Sequence, residues 1–206
     1  MRHSITTTVP PLDGCLPPKS TQCTHAACNA HAPDSIVRLI SPTSCVHATI
    51  GAMSDADYMG LALGEAQEAF ARGDWPVGSV LVRDGTILAT GQNRQNTERD
   101  VTWHAEFEAI RRVMHERGVQ TLVGATVYST MEPCPMCAAA MKLARIARLV
   151  LGTRHATLKR TDLGAYSVET FCALTGYDLS LTTGVREAEC TALRRRWGRD
   201  VIRPTA

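Results

Sequence analysis

The sequence predicts an α/β sandwich with a largely parallel second half, and three observations carry that prediction. Beyond residue 53, short apolar strand patterns alternate with helical patterns of 10–15 residues, which is the signature of strands packed between helices. An Asp84-Gly85 pair sits between two apolar runs, a strong hairpin signal. The segment after residue 52, about 150 residues long, is large enough to bury roughly 68–70% of its unfolded surface without disulfide staples.

The elements follow in order. Ser54-Asp55-Ala56-Asp57 has the form of a helix-capping box with Asp in place of Glu. Tyr58, Leu61, Ala62, Ala66, Ala69 and Phe70 then recur at helical spacing, and Gly73 stops that helix. Residues 78–82 and 87–90 read as two strands around Arg83-Asp84-Gly85. A helix is predicted over 104–117, a strand over 125–130 and a helix over 134–144. A buried strand follows at 149–151, another strand at 179–182, and a closing helix over 186–197.

Residues 1–52 have a different texture. They hold 6 of the 10 prolines and 4 of the 7 histidines, with no sustained period of either kind. Pro10-Pro11 and Pro17-Pro18 exclude helix and central strand locally. Cys23, His25, Cys28 and His31 could form a metal group, but their spacing matches no usual paired-ligand pattern. We therefore expect residues 1–52 to be a disordered or poorly ordered extension and residues 53–206 to be the functional domain.

The composition narrows the function classes. Of 206 residues, 44% are hydrophobic and 20% charged, which excludes collagen-like and wholly disordered chains. No run approaches the ~18 apolar residues of a membrane-spanning helix. A net charge of +2 is too small to argue for nucleic-acid binding by itself. With no export signal, the eight cysteines are expected in a reducing cytoplasm, as ligands or free thiols.

Two motifs carry the chemistry. Thr102-Trp103-His104-Ala105-Glu106 opens one predicted helix, and Glu132-Pro133-Cys134-Pro135-Met136-Cys137 opens another just after a strand. Cysteines three apart on a first helical turn share a face, so both sulfurs can reach one ion. A helix amino terminus also favours the thiolate that binds metal. His104 adds an imidazole, and three protein ligands on tetrahedral zinc leave a fourth position for water, whose pKa the ion brings from about 15.7 to near 7. Glu106, two residues past His104, is then the natural general acid/base. A structural zinc site would instead want a fourth protein ligand, for which His155, Cys172 and Cys190 are the available candidates. A thioredoxin-like redox pair would leave His104 and Glu106 unexplained.

His-x-Glu followed by Pro-Cys-x-x-Cys is a known signature of zinc deaminases, so the match is a resemblance and not a discovery. Residues 54–200 resemble the cytidine/deoxycytidylate deaminase superfamily, in the branch with guanine deaminase, fungal cytosine deaminase and tRNA-adenosine deaminase. The resemblance rests on Trp75-Pro76-Val77-Gly78, Thr90-Gly91-Gln92-Asn93, the two motifs above, and the segment from Gly184 to Cys190. It implies a three-layer α/β/α sandwich with a five-stranded mixed sheet, one zinc held by His104, Cys134 and Cys137, and a homodimer. By position it implies that Asn93 hydrogen-bonds the base edge, the alternative being a turn residue. Val77 and Gly78 would wall the base. Glu132 would offer its backbone carbonyl to the departing amino group, its side chain solvated. Trp103 would stack on a planar ring or be an ordinary core tryptophan.

The substrate is less sharply indicated. Lys142, Arg145, Arg148, Arg154, Lys159 and Arg160 form an acid-free stretch, and Arg194, Arg195, Arg196, Arg199 and Arg203 follow. Such residues could neutralise an RNA backbone or form a solvated face. Asp100-Val101-Thr102-Trp103 lacks the proline of the tRNA branch, and Thr153–Arg160 departs from that branch's pattern. The expected function is thus a zinc-dependent hydrolytic deaminase of a small nucleobase or nucleoside. The alternative is a tRNA-specific adenosine deaminase, with a catalytically inactive RNA-binding or scaffold protein as a third reading.

Overall fold

The computed structural model describes residues 52–200. The candidate ligand group Cys23, His25, Cys28 and His31 lies outside the described residues, as does almost all of the expected extension.

Ser54 caps the first helix, α1 (Asp55–Arg72): its hydroxyl accepts from the Asp57 amide, and Asp57 Oδ2 accepts from the Ser54 amide at 2.8 Å. Gly73 ends the helix in the left-handed region at φ 92°, where a side chain would be strained. The hairpin forms as the Asp-Gly pair dictates. β1 (Gly78–Arg83) and β2 (Thr86–Gln92) pair antiparallel around Asp84 and Gly85, both at positive φ, so the turn twists with the strands.

The chain continues through α2 (Ala105–Arg117), β3 (Thr126–Met131), α3 (Pro135–Leu143), β4 (Arg148–Thr153), α4 (Val168–Thr175), β5 (Ser180–Thr182) and α5 (Glu187–Asp200). The sheet has five strands in the order β2-β1-β3-β4-β5. β1 runs antiparallel to both its neighbours, whereas β3, β4 and β5 are mutually parallel. The expected mixed five-stranded sandwich is the fold observed.

Helix α4 was not anticipated. Its sequence is too short to establish a period, but a parallel β4–β5 pair requires a crossover, and a Ser167/Thr170 capping box starts the helix that makes it. Elsewhere the element limits differ from the sequence expectation by one to three residues, as helix and strand ends generally do.

The alternation of β3 sorts the two cores. Val127 joins Leu81, Ile110, Val113, Met141, Leu149 and Leu151 beneath α2 and α3. Tyr128 points the other way, joining Met59, Ala62, Leu63, Val80, Val150 and Leu193 beneath α1 and α5. Fully burying each large aliphatic side chain contributes about 1.5–3 kcal/mol. One polar tie crosses the second layer: Tyr128 Oη donates to Asp55 at 2.9 Å, and Arg148 grips the same carboxylate with both terminal nitrogens.

Two glycines set how deeply the helices settle. A Cβ on Gly78 would lie 2.1 Å from the Ala62 carbonyl oxygen of α1, and one on Gly91 would lie 2.1 Å from the Ala105 carbonyl oxygen of α2. Both helices rest directly on strand backbone there. The second contact fixes the amino end of α2, where the site begins.

Candidate active site

Two helix amino termini converge at the carboxyl end of β3. His104 occupies the N-cap of α2 in extended conformation, and its side chain makes no capping bond, so the ring is available. Cys134 occupies the N-cap of α3, with Pro135 pre-setting the first turn, and Cys137 follows one turn in. The imidazole and both thiols lie together: His104 Nδ1 is 3.4 Å from Cys134 Sγ and 3.6 Å from Cys137 Sγ. All three potential ligand atoms fall within 4.8 Å of one another.

That spacing can be tested against a zinc ion. Zn–S bonds of about 2.3 Å and a Zn–N bond of about 2.0–2.1 Å at tetrahedral angles place nitrogen and sulfur about 3.6 Å apart. The observed separations agree. The proton chemistry agrees as well. A hydrogen bond from Cys137, opposed by burial and helped by His104, pulls the Cys134 pKa down to about 4. The same bond, together with burial, pushes the Cys137 thiol well above its ordinary value. Two thiolates this close repel each other unless a cation lies between them, and zinc would be that cation, so the residues present fit the metal.

His155 does not complete a fourth ligand, and neither does Cys172 or Cys190, because among the described residues the group contains only His104, Cys134 and Cys137. This disposes of the structural-zinc reading for these residues.

Glu106 lies beside the metal group and is only 2% exposed. Burial raises its pKa above the ordinary carboxylate value, against the opposing His104 charge and a hydrogen bond from Ser129 Oγ at 2.7 Å. For His104, burial acts downward, but the Cys134 hydrogen bond and the Glu106 charge outweigh it and the pKa rises.

A cavity of about 190 Å³ opens over these groups. That is smaller than the roughly 300–1,000 Å³ of sites for drug-sized ligands, which suits a single ring system. His104, Glu106 and Cys134 form its reactive end, with Val77, Asn93 and Glu132 from the expected substrate set on its wall. Asn93 is 2% exposed, and its side chain also turns the loop by accepting from the Gln95 amide at 3.1 Å. Asn93 thus serves the turn and also lines the cavity.

Three expectations need correction. Gly78 does not line the cavity; its role is the close contact with α1. Trp103 does not line it either, and packs its ring beneath the Arg111 guanidinium at 4.6 Å. The Glu132 side chain is not solvated. It is 3% exposed, and its oxygens accept from the backbone amides of His155 at 2.9 Å and Val168 at 3.0 Å while Arg154 pairs with it at 3.2 Å. The backbone after β4 and the start of α4 would otherwise present buried, unpaired N–H groups.

The basic stretch also reads differently in three dimensions. Arg148 pairs with Asp55, Arg154 with Glu132 and Glu169, and Arg160 with Asp162, so much of it is internal ion pairing. Arg160 and Arg194 do reach the cavity, with Arg194 lying over Trp75 at 4.3 Å.

Several contributors had no signal in the sequence. Asp74, fully buried, accepts from Arg72, from the Asn96 and Thr97 amides and from the Thr97 hydroxyl at 2.8–3.0 Å, anchoring the loop that follows Asn93. Burial opposes its charge, yet these donors hold its pKa below the usual value. Tyr166 Oη donates to the Pro133 carbonyl at 2.8 Å, tying the segment before α4 to the metal loop. His155 borders the cavity at 5% exposure with neither ring nitrogen hydrogen-bonded, and burial lowers its pKa.

The comparisons with known proteins agree with this geometry. The family model of the cytidine and deoxycytidylate deaminase zinc-binding region matches residues 52–153. The chain is 34% identical over 149 residues to a tRNA-specific adenosine deaminase of Bacillus subtilis, covering 71% of this chain and 90% of that protein. It is 47% identical over 97 residues to the tRNA-specific adenosine deaminase of Agrobacterium fabrum, where the match spans 47% of this chain and only 64% of the relative. A solved structure from work on A-to-I editing by deaminases at the wobble position of transfer RNA is 38% identical. It covers 66% of this chain and 97% of that one, with a TM-score of 0.59.

Proposed function

Because the chain belongs to the cytidine and deoxycytidylate deaminase family, we propose that it is a zinc-dependent hydrolytic deaminase acting on adenosine in transfer RNA and converting it to inosine. The observation that carries the deaminase chemistry is the His104, Cys134 and Cys137 group at tetrahedral zinc spacing with Glu106 buried beside it. The likeness to tRNA-specific adenosine deaminases, one matched over nine-tenths of its length, favours RNA over the free nucleobase or nucleoside expected from the sequence. Departures at residues 100–103 and 153–160 fall in the loop before α2 and at the end of β4 with the segment after it, and leave the metal and proton-carrying residues intact.

Zinc, when bound, supplies the Lewis acidity that makes water a nucleophile near neutral pH. The chain's own residues do the rest. Val77 and Asn93 confine the base, and the small cavity restricts bulk water. Glu106, its carboxyl pKa raised by burial, accepts one proton from the attacking water and passes it to the ring nitrogen; it then takes the remaining hydroxyl proton and passes it to the amino group, which leaves as ammonia as the C–N bond breaks. Glu132 holds the backbone that offers its own carbonyl to the leaving group. Flipping the base out of the anticodon loop costs little because that loop is already unpaired.

We assign this activity to residues 53–206, working in the cytoplasm as a homodimer. Among the described residues no helix is long and apolar enough to cross a membrane. An apolar face with Ile110, Met114, Val119 and the 79%-exposed Leu143 offers a surface for a second copy. The decisive experiment compares inosine formation in an anticodon stem-loop with ammonia release from free bases and nucleosides. Turnover of a free base with none of the stem-loop would overturn the RNA reading.

A further inference from the structure

The neighbour that matters most to Glu106 is a serine where the strand calls for an apolar residue. Ser129 is fully buried on β3, on the face that carries Val127 toward α2 and α3, and its parallel partner on β4 is Leu151. Burying a hydroxyl in such a strip is unfavourable unless it is hydrogen-bonded. Here it is bonded twice: Ser129 Oγ lies 2.7 Å from Glu106 Oε1 and 2.7 Å from the Met131 carbonyl oxygen.

A serine hydroxyl has one proton to give and lone pairs to accept with. It cannot donate to both oxygens at once, and the Met131 carbonyl has no proton to offer. The hydroxyl therefore donates to one of the two at a time, to Glu106 Oε1 or to the Met131 carbonyl oxygen, and its oxygen stays in contact with both. Rotation about the Cβ–Oγ bond moves the hydroxyl proton between these two acceptors without moving the oxygen. Either way one O···O contact holds the same carboxyl oxygen, and the other oxygen of Glu106 keeps its direction.

We propose that Ser129 is a positioning residue for Glu106, its hydroxyl holding one carboxyl oxygen through both halves of the proton shuttle so that the other stays aimed at the reacting atoms. This rests on Glu106 being the proton carrier proposed above. Ser129 belongs neither to the metal group nor to the residues lining the cavity, so it acts through Glu106.

The test uses the zinc-loaded full chain carrying Ser129→Ala, Ser129→Val and Ser129→Thr, assayed on whichever substrate the wild type turns over. Hydrogen bonds to charged groups are strong enough that Ser129→Ala and Ser129→Val should each lower kcat about tenfold to a hundredfold. KM, zinc content and Tm should stay close to wild type, with Val filling the apolar strip as a folding control. Ser129→Thr, which keeps the hydroxyl, should recover most of kcat. Independently of activity, the infrared carboxyl band that disappears in Glu106→Gln should shift in Ser129→Ala. A kcat within twofold of wild type in Ser129→Ala, or an unmoved carboxyl band, overturns the inference. Full activity in Glu106→Gln overturns instead the role of Glu106 on which it rests, so the two failures are distinguishable.

Discussion

Replacing Glu132 by Gln changes no volume and removes no metal ligand, yet the structure predicts a clear loss of stability. One carboxylate oxygen accepts from the His155 amide and Arg154, and the other from the Val168 amide. Glutamine brings one carbonyl oxygen and one NH₂ group. With the oxygen toward His155 and Arg154, the NH₂ confronts the Val168 N–H; with the amide flipped, it confronts His155 and Arg154. At best one buried N–H is left opposed by a donor, which costs about 1–3 kcal/mol, and the charge on the Arg154 contact is lost as well. Arg154 keeps its bidentate partner Glu169, so the total should be about 2–3 kcal/mol. For a domain near 150 residues that lowers Tm by about 5–10 °C. Urea unfolding measures the stability, and amide hydrogen exchange at Val168 and His155 locates the loss, which should fall on those two amides while zinc content is unchanged. Equal denaturation midpoints with wild-type protection at both amides would refute the reasoning and restore a solvated Glu132.

Three further predictions address the site and its support. Glu106→Gln should retain stoichiometric zinc by atomic spectroscopy and lose about 10²–10⁴-fold in kcat, the range for a general acid/base; undiminished turnover would remove Glu106 from the mechanism. Gly91→Ala should drive a Cβ into the Ala105 carbonyl, lifting the amino end of α2 and His104 with it; weaker zinc retention under chelator challenge measures this, and retention equal to wild type would contradict it. Arg148 holds the Asp55 carboxylate below its ordinary pKa, so that pair contributes stability above the unfolded pKa of 3.8 and loses it as pH falls further. Arg148→Met should therefore cost about 1 kcal/mol near neutral pH, a figure reduced for partial solvent exposure. Its deficit against wild type should shrink in acid below that value, and a deficit independent of pH would assign the cost to packing alone.

Much of this protein was legible from local chemistry. The Ser54 capping box, the stop at Gly73 and the Asp84-Gly85 turn are decided within four or five residues, and each formed as its sequence required. The metal group was equally legible, because two cysteines one turn apart and a histidine at another helix start leave few alternatives. Helix α4 was not, since eight residues with one buried position carry no measurable period. By position the resemblance points Gly78 at the base and leaves Trp103 between ring stacking and the core; in the structure that ring lies against Arg111 and the glycine answers to α1.

By itself the sequence determined which residue types could hold an ion, where the helices begin and which faces must be buried, because capping, turn conformation and hydrophobic period act over a few residues. Only the tertiary structure decided that Glu132 clamps two backbone amides, that Asp74 anchors the loop after Asn93, that Arg148 and Arg154 serve internal pairs, and that Ser129 stands behind Glu106. Those partners are 15 to 93 positions apart. A hydrogen bond depends on ångströms and direction, and no local pattern in the chain encodes which distant donors the sheet will bring within reach.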